Sequence, residues 1–177
     1  SNDLEGYSKI INECFLSNKE DFDEDIFNKY LEKLKIELID GKVKKPLISK
    51  YYSPKNDKKI KKDDRVFYTT DNAKRIDIIR EFINQVDDSY KKYFLAILLH
   101  EASVHTNTGG IFKGFYKDSD TGIGKFGGKG ENALSRIKGE INIEVPVLSN
   151  FSTEYEIYQE DANELVKRLK NIDVIYI

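Results

Sequence analysis

The last stretch of the chain restricts its fold most. Tyr155–Tyr158 reads as a strand, Asp161–Lys170 as a helix and Asp173–Ile177 as a second, apolar strand. Two strands joined through a helix lie parallel, because an antiparallel pair closes with a short turn and needs no crossover. The spacing therefore predicts a βαβ unit and places the chain in the α/β class. Ile177 falls on the second strand, and chains seldom stop inside a buried parallel strand. The chain has no methionine and opens at Ser1 within an element that reads as structured. These features point to the middle of a longer protein, although Ser1-Asn2 is equally readable as a tag scar.

Upstream, helical periodicity dominates. Leu4, Tyr7, Ile10, Ile11, Cys14 and Phe15 share one face of a helix from Leu4 to Leu16, with Asp3 as its N-cap. A second helix reads from Asp23 to Ile39, with Ile26, Phe27, Tyr30, Leu34 and Leu38 in phase and Gly41 as its stop. Residues 42–65, with Pro46 and Pro54, read as loop with at most a short strand. Thr70 or Asp71 caps a third helix through Ile76, Ile79, Phe82, Ile83 and Val86. A fourth, Ser89–Val104, is apolar nearly all round at Tyr93–Leu99 and is expected to be buried. Eight of the 11 glycines fall at residues 109–130, among Phe112, Phe115, Tyr116 and Phe126, which predicts hairpins or a mobile loop. Alternation at Ile141, Ile143, Val145 and Val147 predicts a strand broken at Pro146.

Composition excludes several classes. Hydrophobic residues at 39%, with 12% aromatic, suffice for a packed core and exclude a wholly disordered chain. The 177 residues favour one domain, or one and a half. The longest apolar run, near Tyr93–Leu99, is far short of the ~20 residues a bilayer requires, and no signal peptide is visible, so no membrane role is expected. A single cysteine excludes an internal disulfide framework and fits a reducing, cytoplasmic setting. The net charge of −2 hides a segregation: residues 1–40 carry −6, 42–65 carry +7, 113–138 carry +3 and 140–177 carry −5. Two basic tracts in an acidic chain make a footprint for a polyanion, because phosphate contact releases counterions. For residues 42–65 a solvated lysine-rich loop explains the run equally well.

His100-Glu101 and His105 resemble a zinc-protease helix, but histidines five apart sit ~140° out of register where a separation of four is needed, so no metal is expected. Gly122, Gly124 and Gly127 satisfy G-x-G-x-x-G, which binds a dinucleotide only where a strand passes into a helix. Residues 113–121 make a poor strand, so a flexible basic loop is expected; a nucleotide site would require a strand before Gly122 and a helix after it. Cys14, on an apolar helix face, reads as a small core residue. Two carboxylates are better placed. Asp161 sits where the 155–159 strand passes into its helix, and Asp3 stands at the head of the first helix. In open α/β sheets ligands bind beyond the carboxyl ends of the strands, where acids accept from ribose hydroxyls or an adenine amine. Taken singly, each is also readable as a plain N-cap.

Read together, these pieces resemble the adenine-specific DNA methyltransferases of the Dam and FokI-methylase type. NDLEGYSKIINECF (residues 2–15) resembles motif II of that family, the acidic turn after the second sheet strand. QEDANELVKRLKNIDVIYI (residues 159–177) resembles motif III with the strand that leads into motif IV. DNAKRIDIIREFI (71–83) with HTNTGGIFKGFYK (105–117) is similar to the insert between them, a helical target-recognition region followed by a DNA-facing hairpin. The Phe-x-Gly-x-Gly turn of motif I would lie upstream of Ser1, and the catalytic Asp-Pro-Pro-Tyr directly after Ile177.

The resemblance implies a three-layer, Rossmann-like α/β sheet, with residues 1–18 and 139–177 as catalytic-domain segments and 19–138 as the recognition insert. It implies transfer of a methyl group from S-adenosylmethionine to the exocyclic amine of an adenine flipped from double-stranded DNA. A cognate restriction endonuclease is a candidate companion in the cell. On this resemblance Asp3 holds the cofactor ribose hydroxyls, and Asp161 accepts from the cofactor's adenine amine beside the backbone of Ala162. Thr106, Asn107, Thr108, Lys113, Tyr116 and Lys117 line the DNA. Without motifs I and IV the chain alone is expected to be inactive and to bind the cofactor poorly. The alternative is a non-catalytic nucleic-acid-binding module whose +7 and +3 tracts grip phosphate.

Overall fold

The computed structural model describes residues 1–109, 114–128, 130, 132–170 and 172–174. Its α-helices among these are α1 (Gly6–Phe15), α2 (Glu24–Asp40), α3 (Ile48–Tyr51), α4 (Thr70–Ile83), α5 (Asp88–Val104), α6 (Leu134–Lys138) and α7 (Ala162–Leu165). The chain divides into a central unit, Glu24–Val145, and a terminal unit made of Ser1–Asp23 and Pro146–Ile177. No described helix is long and apolar enough to cross a membrane.

The central unit is built on α4. Thr69 caps it, its hydroxyl accepting from the Asn72 N–H at 3.2 Å. Below the cap Ala73, Ile76, Ile79, Phe82 and Ile83 recur at helical spacing and are buried. Against them pack Phe27, Leu31 and Leu34 of α2, and Tyr93, Phe94, Ala96 and Leu98 of α5. The Phe94 ring is the hub, with its centroid 4.5 Å from that of Phe27 and 5.9 Å from that of Phe82. Each such ring, fully removed from water, stabilises the unit by roughly 1.5–3 kcal/mol. The inward stripe of α2 is Phe27, Leu31, Leu34, so Ile26 lies at its border and not within it. Gly41, at φ 65°, ends α2 by donating its N–H to the Glu37 carbonyl at 3.0 Å.

The lysine-rich segment 42–65 is a loop, but a tethered one. Asp77, fully buried on α4, accepts from the N–H groups of Ile48 and Ser49, both at 2.9 Å, and from the Ser49 hydroxyl at 2.7 Å. It caps α3 from a different element. Beyond it Val66 joins Phe126 and Ile137 in a second, smaller core, which Phe115 and Tyr116 partly cover.

Two expected strands are corrected. Ile141 and Ile143 are buried as their alternation predicts, yet they pair with no strand among the described residues. The Ile141 N–H donates to Asn72 Oδ1 at 3.1 Å, and its carbonyl accepts from Arg75 Nε at 2.6 Å. Alternation reports a buried face; it does not specify what satisfies the backbone. In the terminal unit the expected βαβ is reduced. Tyr158 forms a single parallel bridge with Asn2, upstream in sequence, and α7 ends at Leu165 instead of Lys170. There the Leu165 carbonyl accepts from both Arg168 and Leu169, a tightened last turn. Residues 175–177, most of the second expected strand, lie outside the described residues. The described residues therefore carry isolated bridges and no sheet.

Candidate functional site

In the terminal unit the chain at Ser1–Leu4 runs beside Glu156–Glu160. Tyr158 donates its N–H to the Ser1 carbonyl at 2.8 Å, and Asp3 donates its N–H to the Tyr158 carbonyl at 3.4 Å. The Asn2 amide then ties both sides together, donating to the Glu160 carbonyl at 3.0 Å and accepting from the Glu160 N–H at 3.2 Å. The next residue on one segment is Asp3; on the other it is Asp161. The two acids thus follow a matched pair at neighbouring carboxyl ends of parallel backbone.

Their local roles differ. Asp161 is the N-cap of α7, its Oδ1 accepting from the Asn163 N–H at 2.7 Å. Asp3 is not the cap of α1; that position belongs to Glu5, which makes no side-chain cap bond. Asp3 instead folds the turn ahead of the helix, Oδ1 accepting from the Glu5 N–H at 3.0 Å and Oδ2 from the Ser8 hydroxyl at 2.7 Å. The Glu5 N–H, and after it the Ser8 hydroxyl, hold its carboxyl below the usual carboxylate range. Each oxygen keeps acceptor capacity, since an ionised carboxylate takes about four hydrogen bonds. Ala162 lines a cleft of about 1170 Å³ together with Asn2, Tyr155, Tyr158 and Leu165; neither Asp3 nor Asp161 forms its wall.

In the central unit the described residues 114–128 of the glycine-rich segment form a hairpin. Tyr116 donates its N–H to the Asn107 carbonyl at 3.1 Å, and Lys125 donates to the Tyr116 carbonyl at 2.9 Å. Isolated antiparallel bridges join Thr108 with Phe115 and Lys117 with Gly124. Asp118 builds the turn, accepting on Oδ1 from the Thr121 N–H and hydroxyl, both at 2.9 Å. Those two bonds, the N–H foremost, hold its carboxyl below the usual range. Gly122 sits in the turn at φ 67°, and Gly124 lies so close to Val66 that a Cβ there would overlap its side chain. The G-x-G-x-x-G glycines therefore serve a hairpin, with Gly124 paired to Lys117 rather than leading into a helix, which removes the dinucleotide reading.

The six DNA-lining candidates fare unequally. Asn107 is fully buried and its amide is engaged within the protein: Nδ2 donates to the carbonyls of Val66 at 2.7 Å and Lys125 at 3.0 Å, and Oδ1 accepts from the Gly127 N–H at 3.1 Å. It anchors the hairpin, and both of its amide hydrogens are spent within the protein. Thr106 and Thr108 flank it, half-buried, with Tyr116 half-buried across the hairpin; Lys117 is exposed, its ammonium 5.3 Å from the Phe115 ring centroid. Lys113 lies outside the described residues.

Sequence reading missed Arg136. From α6 its guanidinium donates to the carbonyls of Val104, Thr106 and Thr108, holding the strand-like run that carries the candidates. No local pattern announces a bond spanning 28 to 32 positions. His105 sets Nδ1 2.5 Å from the Arg136 carbonyl, while His100 is exposed.

Comparison with known proteins finds two distant relatives. Over 120 residues, 64% of this chain, it is 26% identical to the Type II methyltransferase M.FokI of Planomicrobium okeanokoites and covers 16% of that protein. Over 120 residues it is 25% identical to the Type II methyltransferase M.NlaIII of Neisseria lactamica and covers 31% of it. The chain is thus related at a distance to Type II methyltransferases and spans a third or less of these relatives' length. No protein-family profile matches it, and no solved structure matches it significantly.

Proposed function

We propose that the chain is the central part of an S-adenosylmethionine-dependent DNA methyltransferase acting on adenine, acting in the cell on double-stranded DNA. The terminal unit contributes to the catalytic domain and the central unit is its target-recognition insert. The observation that supports this reading is the parallel bridge between Asn2 and Tyr158, with Asp3 one residue beyond it on one segment and Asp161 three residues beyond it on the other. Two acceptor-only groups at adjacent carboxyl ends suit the donors of an adenosine, and the distant similarity to two Type II methyltransferases supports the same chemistry.

In this reading Asp3, pre-set as an anion by Glu5 and Ser8, accepts from the ribose hydroxyls. Asp161 accepts from the adenine amine with its second oxygen while its first caps α7, and the backbone of Ala162 borders the base. When bound, S-adenosylmethionine supplies the methyl group. On the DNA side Thr106, Thr108, Tyr116 and Lys117 contact the duplex, with Lys113 as a further candidate, and Asn107 anchors the hairpin. Backbone amides of a nitrogen-15-labelled chain, titrated with S-adenosylmethionine, test the cofactor half. Shifts confined to Asp3, Glu5, Asp161, Ala162 and their neighbours are expected, with weak affinity. Shifts elsewhere, or none at millimolar cofactor, would sink the assignment.

A further inference from the structure

The two basic tracts meet. A cleft of about 1000 Å³ in the central unit is bordered by Lys58 from the first tract, Lys125 and Lys138 from the second, and Lys74 and Arg75 from α4 between them. Nothing in the linear order brings residues 58 and 138 together; the tether of the loop does. Asp57 accepts from the Thr70 N–H at 3.1 Å, which pins the first tract to the head of α4, and the Asn72 amide pins α6 by donating to the Gly139 carbonyl at 2.7 Å.

The charges that line this cleft are not matched. Arg75 pairs with Glu140 at 2.6 Å, and Asp57 is engaged with Thr70. Asp71 is the remaining acid of the wall. Lys58, Lys74 and Lys138 are exposed and have no ion-pair or hydrogen-bond partner for their ammonium groups among the described residues. Ammonium groups on flexible stems read no sequence; they neutralise phosphates and displace condensed counterions.

We infer that this cleft is a second DNA contact, gripping the sugar–phosphate backbone of the duplex through Lys58, Lys74 and Lys138, apart from the hairpin that faces the bases. The inference rests on the proposed function in one respect, that the ligand is duplex DNA. Fluorescence anisotropy of a labelled 20-base-pair duplex with the full chain, repeated across a range of salt, tests it. The variant K58Q/K74Q/K138Q is compared with K44Q/K61Q/K62Q, which removes the same charge from exposed lysines of the first tract outside the cleft. Each lost phosphate contact lowers the salt slope by about 0.9, so the cleft variant should lose ~2–3 of slope and roughly 10–100-fold in affinity at moderate salt. The control should lose less than ~1 of slope on the same scale. Equal losses in both variants, or an unchanged slope in the cleft variant, would overturn the cleft while leaving DNA binding standing. Failure of the unmodified chain to bind the duplex at all would overturn the proposed function itself.

Discussion

In the central unit Phe27 and Phe94 are sealed from solvent, whereas the terminal unit leaves Leu4 64%, Phe151 81% and Val174 83% exposed. The central unit also satisfies its buried polar groups through specific side chains: Asp77 for α3, Asn72 for Ile141, Asn107 for the hairpin. Ties in the terminal unit are mostly backbone and surface pairs around one bridge. The contrast teaches where each kind of function can reside. A scaffold with its own core holds its surface rigidly by itself. A unit whose apolar side chains stay wet has little core of its own.

The sharpest way to break this comparison is Phe94→Ala. It removes the hub of three packed helices and should cost about 3–5 kcal/mol. The chain lacks tryptophan, so denaturant unfolding is followed through its 11 tyrosines together with circular dichroism. The central unit should melt earlier while the amides of Asp3 and Tyr158 keep their protection; simultaneous loss at both would show that the units unfold as one. Asn107→Ala should cost about 2–3 kcal/mol, because a buried carbonyl, a half-buried one and a buried N–H lose their partner. Hydrogen exchange should then quicken at Lys125 and Gly127 and stay slow along α4, and a uniform acceleration would contradict a local clamp.

Gly124→Ala comes next, at about 1–3 kcal/mol, since the new methyl must displace Val66 from its core. Duplex affinity read alongside stability sharpens the comparison: a loss of binding larger than the loss of fold indicates a bent hairpin. The smallest effect belongs to the terminal unit. Asp3 has a depressed pKa in the folded chain, so its contribution is complete above the unfolded carboxylate range and disappears as pH falls through the folded value. Its carboxyl carbon resonance, followed by NMR from neutral to acid, should titrate below the ordinary range. Ser8→Ala should move that midpoint upward but only part of the way, as the Glu5 N–H remains; an unmoved midpoint would dismiss the Ser8 contribution.

Helices α2, α4 and α5 were legible in the sequence because their apolar spacing and the Gly41 stop agree, although the cap of α4 is Thr69, just ahead of the expected Thr70 or Asp71. Cys14 as a core residue and the hairpin at the glycines followed from the same local reasoning. The sheet was not legible. Ile141 and Ile143 alternate like a strand because one face is buried, and the partner that answers the backbone is an asparagine on α4. Asp77, Asn107 and Arg136 escaped for a related reason: each bonds to backbone 28 to 41 positions away, and composition carries no trace of such pairings. For the acids the turn was legible at Asp161 and misjudged at Asp3, which folds the approach to α1 and leaves the cap to Glu5.

Asp77 has one more consequence. It and Ser49 form a lock whose halves sit on different elements, so the lysine-rich loop is not an interchangeable part. Grafting a foreign loop at residues 42–65 without donors at 47–49 would leave the buried Asp77 side chain with Arg80 as its remaining partner among the described residues. Any redesign of that loop must carry the aspartate's partners along with it.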